Sequence, residues 1–534
     1  MYKRLILTTL LFAAGIASAQ AAQALFSDSG ARQPLAAAAV ANAAGTPFYG
    51  ERKLRSVRLG LHLNPAASGA AELSLPLPDG SQFSARRSAS YVTASGSTVW
   101  VGRHASATPG SAAAASEETV LVVRNGKVTG TVRHEGKLYR IRAGADGSHG
   151  VGEIDANGFP RDHVEAEYRQ QLSLAPQAAP VPAASAYNNI GAAATLATPV
   201  IRVMVHYTAA ARAGTADIAA LIDLAVAETN QGYVNSGINA RIELAHAAPV
   251  NYTESGSNST DRSRYASPDD RVMDEVHAQR NSYLADVGVL LTEGNDGCGN
   301  GAINASASSA FVAVTADCAT GNYSFGHELG HLFGARHNVE EDSSTTPYAY
   351  GHGYLSPNRN WRTTMAYNCS NGCPRINYWA NPNQTRDGVA MGSSTRAHDA
   401  RVLGERAPVL AQFRAAPAGS AVTVTNSADY SIPDNNSSGI ASPVTVASAG
   451  SAGTLTIAVN IIHPYVGDLV LELIAPDNAV YTLQSRSGGS ADNIVRSFSV
   501  ALGAKPRAGV WKLRVSDRAA QDTGHLESWS LTSP

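Results

Sequence analysis

The string His327-Glu328-Leu329-Gly330-His331-Leu332-Phe333-Gly334-Ala335-Arg336-His337 restricts this chain more than any other stretch. Histidines four residues apart on a helix lie one turn apart on one face, so His327 and His331 project side by side. Glu328 falls beside them. Gly334 tolerates backbone angles barred to residues with a Cβ, which lets the chain leave a helix in a sharp turn. That turn would bring back His337, which a continuing helix would carry away. Phe325, Leu329, Leu332 and Phe333 follow the spacing i, i+4, i+7, i+8 and place an apolar stripe opposite the histidines. The expected helix has its back in a core and its imidazoles facing a cleft. A histidine pair at this spacing is more often a surface or core pair. Three histidines, a glutamate and a glycine at set spacings are harder to obtain by chance, and they predict a zinc (Zn2+) site with His327, His331 and His337 as ligands.

Three neutral imidazoles leave one zinc position open, which marks a catalytic rather than a structural site. Zinc lowers the pKa of a bound water to about 7 and polarises a carbonyl. Glu328 is the candidate general base, taking the water's proton and passing it to a leaving amine. The expected reaction is hydrolysis of a peptide bond, with proteins or peptides as substrates.

The string resembles the signature of the metzincin metallopeptidases. Members of that family carry a methionine turn beneath the metal, downstream of the helix. Thr363-Thr364-Met365-Ala366-Tyr367 follows His337 at a suitable distance, which makes Met365 the candidate turn residue. Methionine also fills gaps in cores, and the turn is itself a packing device. In astacin-like and serralysin-like members a tyrosine two residues on approaches the zinc and stabilises the oxyanion. The resemblance implies that catalytic role for Tyr367, against the common use of phenols in packing. Asn338, after the third histidine, leaves the subgroup undecided.

At 534 residues the chain should hold more than one domain. Lys3 and Arg4, an apolar stretch over 5–16 and Ala17-Ser18-Ala19 read as a secretory signal at 1–19, so a secreted, extracellular protein is expected. The apolar run is short for a membrane span, and no later segment supplies one. Cys298, Cys318, Cys369 and Cys373 are an even set in an exported chain, which suggests disulfides with three pairings open. Proximity favours Cys298 with Cys318 and Cys369 with Cys373, both bracketing the site. Metal ligation by Cys369 and Cys373 is the alternative, less suited to an oxidising compartment. A net charge of −2 without a long run of one sign makes nucleic acid and anionic membrane poor partners. A monomer is expected.

Residues 20–185 read as a mostly β propeptide. Short β-like runs at 97–101, 119–123 and 137–141 are separated by turns such as Asn125-Gly126 and Glu135-Gly136. An Ala/Pro stretch at 175–184 reads as a cleavable linker, and 186–197 continues it. No cysteine precedes Cys298, so a cysteine plug for the zinc is absent from this segment. Asp162, in Phe159-Pro160-Arg161-Asp162-His163, is a candidate acidic plug, although a solvated loop acid is the commoner case.

Residues 198–416 read as the catalytic domain, of mixed α/β (α+β) type. A strand at 200–207 precedes a helix capped by Thr215, with Ile218, Leu221, Ile222 and Ala225 on one face and Gly237 near its end. Strands at 240–245, 286–292 and 310–315, with a helix around 272–284, suggest a mixed sheet carrying the zinc helix. Gly301-Ala302-Ile303-Asn304 is the expected edge strand for an extended substrate. A last helix around 396–413 closes the domain. From 417 to 534 the pattern changes to short alternating runs, such as 454–459, 469–474 and 510–515, expected for an all-β sandwich or jelly roll. Gly467-Asp468-Leu469, Gly509-Val510-Trp511-Lys512-Leu513 and Gly524-His525-Leu526-Glu527-Ser528-Trp529 resemble the P domain of proprotein convertases. That resemblance brings in calcium (Ca2+) as a second cofactor, with Asp468 or Asp517 as oxygen ligands. Turn aspartates more commonly serve backbone hydrogen bonds.

A metzincin helix followed by a P domain resembles the bacterial peptidyl-Asp metallopeptidase group, which implies cleavage on the amino side of aspartate. A buried carboxylate needs a positive partner, and arginine offers a bidentate fork. Arg375, in the segment after the methionine turn, is the candidate substrate-binding residue; a solvated arginine is the ordinary alternative. The rival to an endopeptidase is a secreted binding or adhesion protein with a vestigial zinc site. Retention of Glu328 argues against it. Zinc-dependent hydrolysis of a non-peptide substrate is a third reading.

Overall fold

The computed structural model describes residues 22–27, 54–64, 67, 69–105, 117–144, 147–176, 198–294, 296–370, 372–414, 421–448 and 451–533. The signal at 1–19, nearly all of the linker at 175–184 and the stretch 186–197 lie outside them. The chain divides into two compact units, one holding residues 54–154 and the other 155–534.

The first unit is a ten-stranded sheet. Neighbouring strands pair antiparallel through Glu72–Pro76, Gln82–Val92, Thr98–His104, Glu118–Arg124, Lys127–His134, Lys137–Ala143 and His149–Ile154. The two tight hairpins form where Asn125-Gly126 and Glu135-Gly136 adopt positive φ at both positions. Paired positive φ matches the right-handed twist of the flanking strands. One face buries Phe83, Trp100, Leu121, Val132 and Ile141. The expectation of a mostly β segment agrees with this sheet.

In the second unit, Val200–Tyr207 pairs in parallel with Arg241–Pro249 and with Val287–Thr292. Val287–Thr292 pairs in parallel with Phe311–Thr315, and Gly299–Gly301 adds an antiparallel edge. The result is a five-stranded mixed sheet. Alternation along the strands sends side chains to two cores. Val203, Val205, Val289 and Val312 pack with the helices Ile218–Ser236 and Ser324–Phe333. Met204, Leu290 and Phe311 face the opposite side, with Tyr265 and Val276 from the helices Asn258–Ala266 and Glu275–Ser282. A final helix, Asp399–Leu410, also packs into the first core.

Two local expectations shift. The Ile218–Ser236 helix is capped by Asp217, whose carboxylate accepts from the Ala220 N–H, rather than by Thr215. Either residue type can cap, and only the entry direction of the chain chooses between them. The sheet edge is Gly299–Gly301, two residues before the expected run, because its register is set by pairing with Phe311–Thr315.

The C-terminal part forms two antiparallel sheets. One contains Val422–Asn426, Gly524–Ser533, Ser451–Ile462 and Ile494–Pro506, with Tyr430–Ile432 beside Gly524–Ser533. The other contains Ile440–Val446, Gly509–Asp517, Leu469–Ile474 and Val480–Ser485. Leu455, Ile457 and Leu531 from one share a core with Leu471, Leu473 and Leu513 from the other, which makes a sandwich. Trp511 and Trp529 are buried, their indole N–H groups donating to the Arg507 carbonyl and the Ser442 hydroxyl.

Candidate metal centre and catalytic cleft

The helix Ser324–Phe333 ends where its sequence predicts. Gly334 has φ +106° and its N–H returns to the carbonyls of Gly330 and His331. Phe325, Leu329, Leu332 and Phe333 lie in the sheet's core, so the other face presents His327 and His331. The turn at Gly334 brings His337 back. Its Nε2 lies 3.3 Å from that of His327, which is 3.2 Å from that of His331.

A fourth imidazole, His163, completes the cluster, its Nε2 3.1 Å from that of His331. The Nδ1 atoms of His327 and His331 donate to the carbonyls of Thr364 and Ala335, at 2.9 and 2.8 Å. That assignment leaves each Nε2 with a lone pair turned toward the other nitrogens. Lone pairs this close repel unless a cation lies between them. The edge of a tetrahedron of nitrogens around zinc is about 3.3 Å, given Zn–N bonds of about 2.0–2.1 Å. The spacing found here therefore fits zinc. Burial, above all, keeps the imidazoles unprotonated: it pulls His163 and His331 down to about 4, and takes His327 and His337 well below their ordinary value. Neutral imidazole is the form that binds a metal.

Glu328 is fully buried, and neither of its carboxylate oxygens has a hydrogen-bond donor of good geometry. His163 Nε2 stands 3.2 Å from Oε1. Burial pushes the Glu328 carboxyl well above the usual range, with His331 opposing the shift. Its place beside the imidazoles is one from which a carboxylate can take and return a proton. The edge strand makes room for it: a Cβ on Gly299 would come 2.6 Å from Glu328 Cγ. Sequence reading missed this role of Gly299, since isolated strand glycines signal only a close approach of unknown partner.

Met365 is buried beneath the helix, and a Cβ on Gly330 would meet its sulfur at 2.9 Å. The preceding residue, Thr364, supplies the carbonyl that orients His327. Tyr367 packs its ring on His337 with centroids 4.0 Å apart, and its N–H donates to Asn338 Oδ1. Tyr168 packs on the same imidazole, also at 4.0 Å, and its hydroxyl donates to Asp342. Cys298 pairs with Cys318 and Cys369 with Cys373.

Arg375 is buried in the loop after the methionine turn. Its guanidinium grips Asp162 with both terminal nitrogens, one bond to Oδ1 at 3.1 Å and one to Oδ2. It also donates to the carbonyls of Asn322 and Ala366, while the Ser324 hydroxyl donates to Asp162 at 3.1 Å. Burial alone would raise the Asp162 carboxyl, but the Arg375 guanidinium holds it far below the usual range. Asp162 is held by Arg375 and Ser324 and forms a second metal-competent group with His327 and Glu328, while its neighbour His163 joins the three motif histidines. No spacing pattern marks His163, which lies 168 positions from His331.

Asp468 and Asp517 belong to neither of the metal-competent clusters among the described residues. Asp517 accepts from the Ala519 N–H and lies 3.3 Å from His463, and Asp468 lies 3.6 Å from Arg486. Among the described residues no helix is long and apolar enough to cross a membrane.

Two family models match the sequence: metallo-peptidase family M12 over residues 197–380 and the proprotein convertase P-domain over 452–533. A peptidyl-Asp metalloendopeptidase of Stenotrophomonas maltophilia is 42% identical over 368 residues, covering 66% of this chain and 86% of that protein. One from Xanthomonas campestris pv. campestris is 45% identical over 55% of this chain and 70% of its own length. A third, from Pseudomonas fragi, is 44% identical over 35% of this chain and all of its own sequence.

Proposed function

Because this chain belongs to the peptidyl-Asp metalloendopeptidase family and is a zinc metalloendopeptidase, we propose that it cuts on the amino side of aspartate, with Arg375 as selector and Glu328 as proton carrier. His327, His331 and His337 would hold the metal. Zinc, when bound, supplies a Lewis acid that acidifies a water to a pKa of about 7 and polarises the scissile carbonyl. Glu328, beside the imidazole cluster, takes the proton of the attacking water and delivers it to the leaving amine. Tyr367, against His337, offers its phenol to the developing oxyanion. The Thr364 carbonyl fixes the tautomer of His327, and Met365 supports the helix from below.

The observation that carries the aspartate preference is the buried pair of Arg375 with Asp162: the pocket already holds an aspartate side chain. A bidentate fork with a hydroxyl beside it suits a carboxylate, and leucine would leave the guanidinium unmatched. Both disulfides support an oxidising, extracellular setting, with 1–19 as the signal. We assign 20–185 as propeptide, 186–197 as linker, 198–416 as the catalytic domain and 417–534 as the sandwich.

Active protein should lose cleavage of a protein substrate in a zinc chelator, and by about 10²-fold or more on Glu328→Ala. Undiminished cleavage by that variant removes the mechanism. Arg375→Glu, assayed on matched peptides with aspartate or leucine after the cut, should lose the aspartate preference. An unchanged ratio excludes Arg375 as selector.

A further inference from the structure

We infer that Pro160-Arg161-Asp162-His163 is an internal inhibitor built as a substrate mimic, with His163 closing the metal's coordination and Asp162 filling the pocket of the residue after the cut bond. The second half rests on the reading of Arg375 given above. The four imidazole nitrogens lie within 4.8 Å of one another, with His163 3.1 Å from His331, so His163 can supply a fourth ligand, and a four-ligand zinc site has no place for water. His163 also stands against Glu328, where a water would have to surrender its proton. Asp162 uses the guanidinium of Arg375 and the hydroxyl of Ser324, so no substrate carboxylate can use them simultaneously.

The main chain of the segment is tied to the sheet edge. The N–H groups of Cys298 and Gly299 donate to the carbonyls of Arg161 and Asp162, at 3.0 and 2.9 Å. These bonds hold the segment's main chain at the start of the edge strand Gly299–Gly301. Arg161 reaches Glu341 at 3.0 Å and lies over the Tyr367 ring. Tyr168, on the following helix Glu165–Leu174, covers His337. One difference marks His163 as the ligand that leaves. His327 and His331 are oriented by main-chain carbonyls, whereas His163 Nδ1 has no hydrogen-bond partner. A ligand without that support is held more weakly. When the segment withdraws, water replaces His163 and the three remaining imidazoles form the open site.

The test uses the full chain with Glu328→Gln, which prevents self-cleavage, loaded with Co2+ so that coordination is read from the visible spectrum. Azide should leave the spectrum unchanged. With His163→Ala added, azide should shift it, and dipicolinate should strip the metal at least about tenfold faster. An azide shift in the parent equal to that of His163→Ala overturns the closed shell. Asp162→Ala, which removes the bond to Arg375 and leaves all four imidazoles in the chain, should also admit azide, and Asp162→Glu should restrict it again. An Asp162→Ala chain as closed as its parent overturns the anchoring role of Asp162. Peptide selectivity of the active protein separates the two readings. If aspartate preference is absent while Asp162→Ala still opens the metal, the selector assignment and the mimicry fail and the closed shell stands. If the preference holds and Asp162→Ala stays closed, the inhibitory contact fails alone.

Discussion

On the proposed reading of Arg375, its buried pair with Asp162 would serve two states. Removing one partner of a buried ion pair costs about 3–5 kcal/mol, because the other charge is left without compensation. Once Asp162 withdraws, the guanidinium retains only the neutral carbonyls of Asn322 and Ala366. An arriving aspartate side chain restores the match, which is the physical reason for expecting selectivity there. Glu328 depends on a neighbour in a different way. Gly299 lies in ordinary extended backbone, so alanine fits its conformation, but the new Cβ would press on Glu328 Cγ. Gly299→Ala should lower kcat by about 10²-fold, the scale of general-base catalysis, with zinc content and melting temperature little changed. A full kcat in a zinc-loaded Gly299→Ala protein would show that the edge strand does not position the base.

Among the elements, the site helix was legible because its information is local: ligands, stripe and stop signal occupy one short run, and the structure follows them from Ser324 to Gly334. The edge strand was misplaced by two residues, and His163 beside the candidate Asp162 went unmarked, because both depend on contacts distant in sequence. Sequence periodicity reports which face of an element is buried and is silent about what meets it. The helix Asp399–Leu410 adds a feature that periodicity cannot show. His398 stands at its N-cap without a side-chain capping bond, and burial, then Arg401, pulls its pKa down to about 4. A cation at a helix N-terminus is also opposed by the helix dipole. The unfolded chain takes up this proton near pH 6.5 and the folded one resists it until about 4, so stability present above 6.5 is lost as pH falls through that window. His398→Asn removes the titration and supplies a better cap, worth about 1 kcal/mol. In a Glu328→Gln background, urea midpoints at pH 7 and pH 5 should fall less for His398→Asn than for its parent. Equal falls would show that His398 does not contribute to acid sensitivity.

At the scale of the whole molecule, the larger apolar clusters among the described residues include one in the ten-stranded unit, two flanking the mixed sheet, and one inside the C-terminal sandwich. Domains with their own cores tend to unfold as separate cooperative units. The four histidines of the metal cluster all belong to the unit that holds residues 155–534. His327 and His331 sit on a helix of the mixed-sheet core, and His337 is packed by Tyr367 and Tyr168. Zinc binds the folded arrangement and not the dispersed histidines, so its binding free energy adds to the stability of that body alone. Calorimetry of the Glu328→Gln chain should therefore show more than one transition. Removing zinc should lower the transition of the catalytic body by several degrees, on the order of 2–4 °C per kcal/mol for a body of this size. The sandwich, whose core contains no residue of the cluster, should melt where it did before. A single transition that moves as a whole on chelation would mean that the cores are thermodynamically one. In that case the sandwich would be a stabilising part of the enzyme, and its loss would weaken metal retention as well as folding.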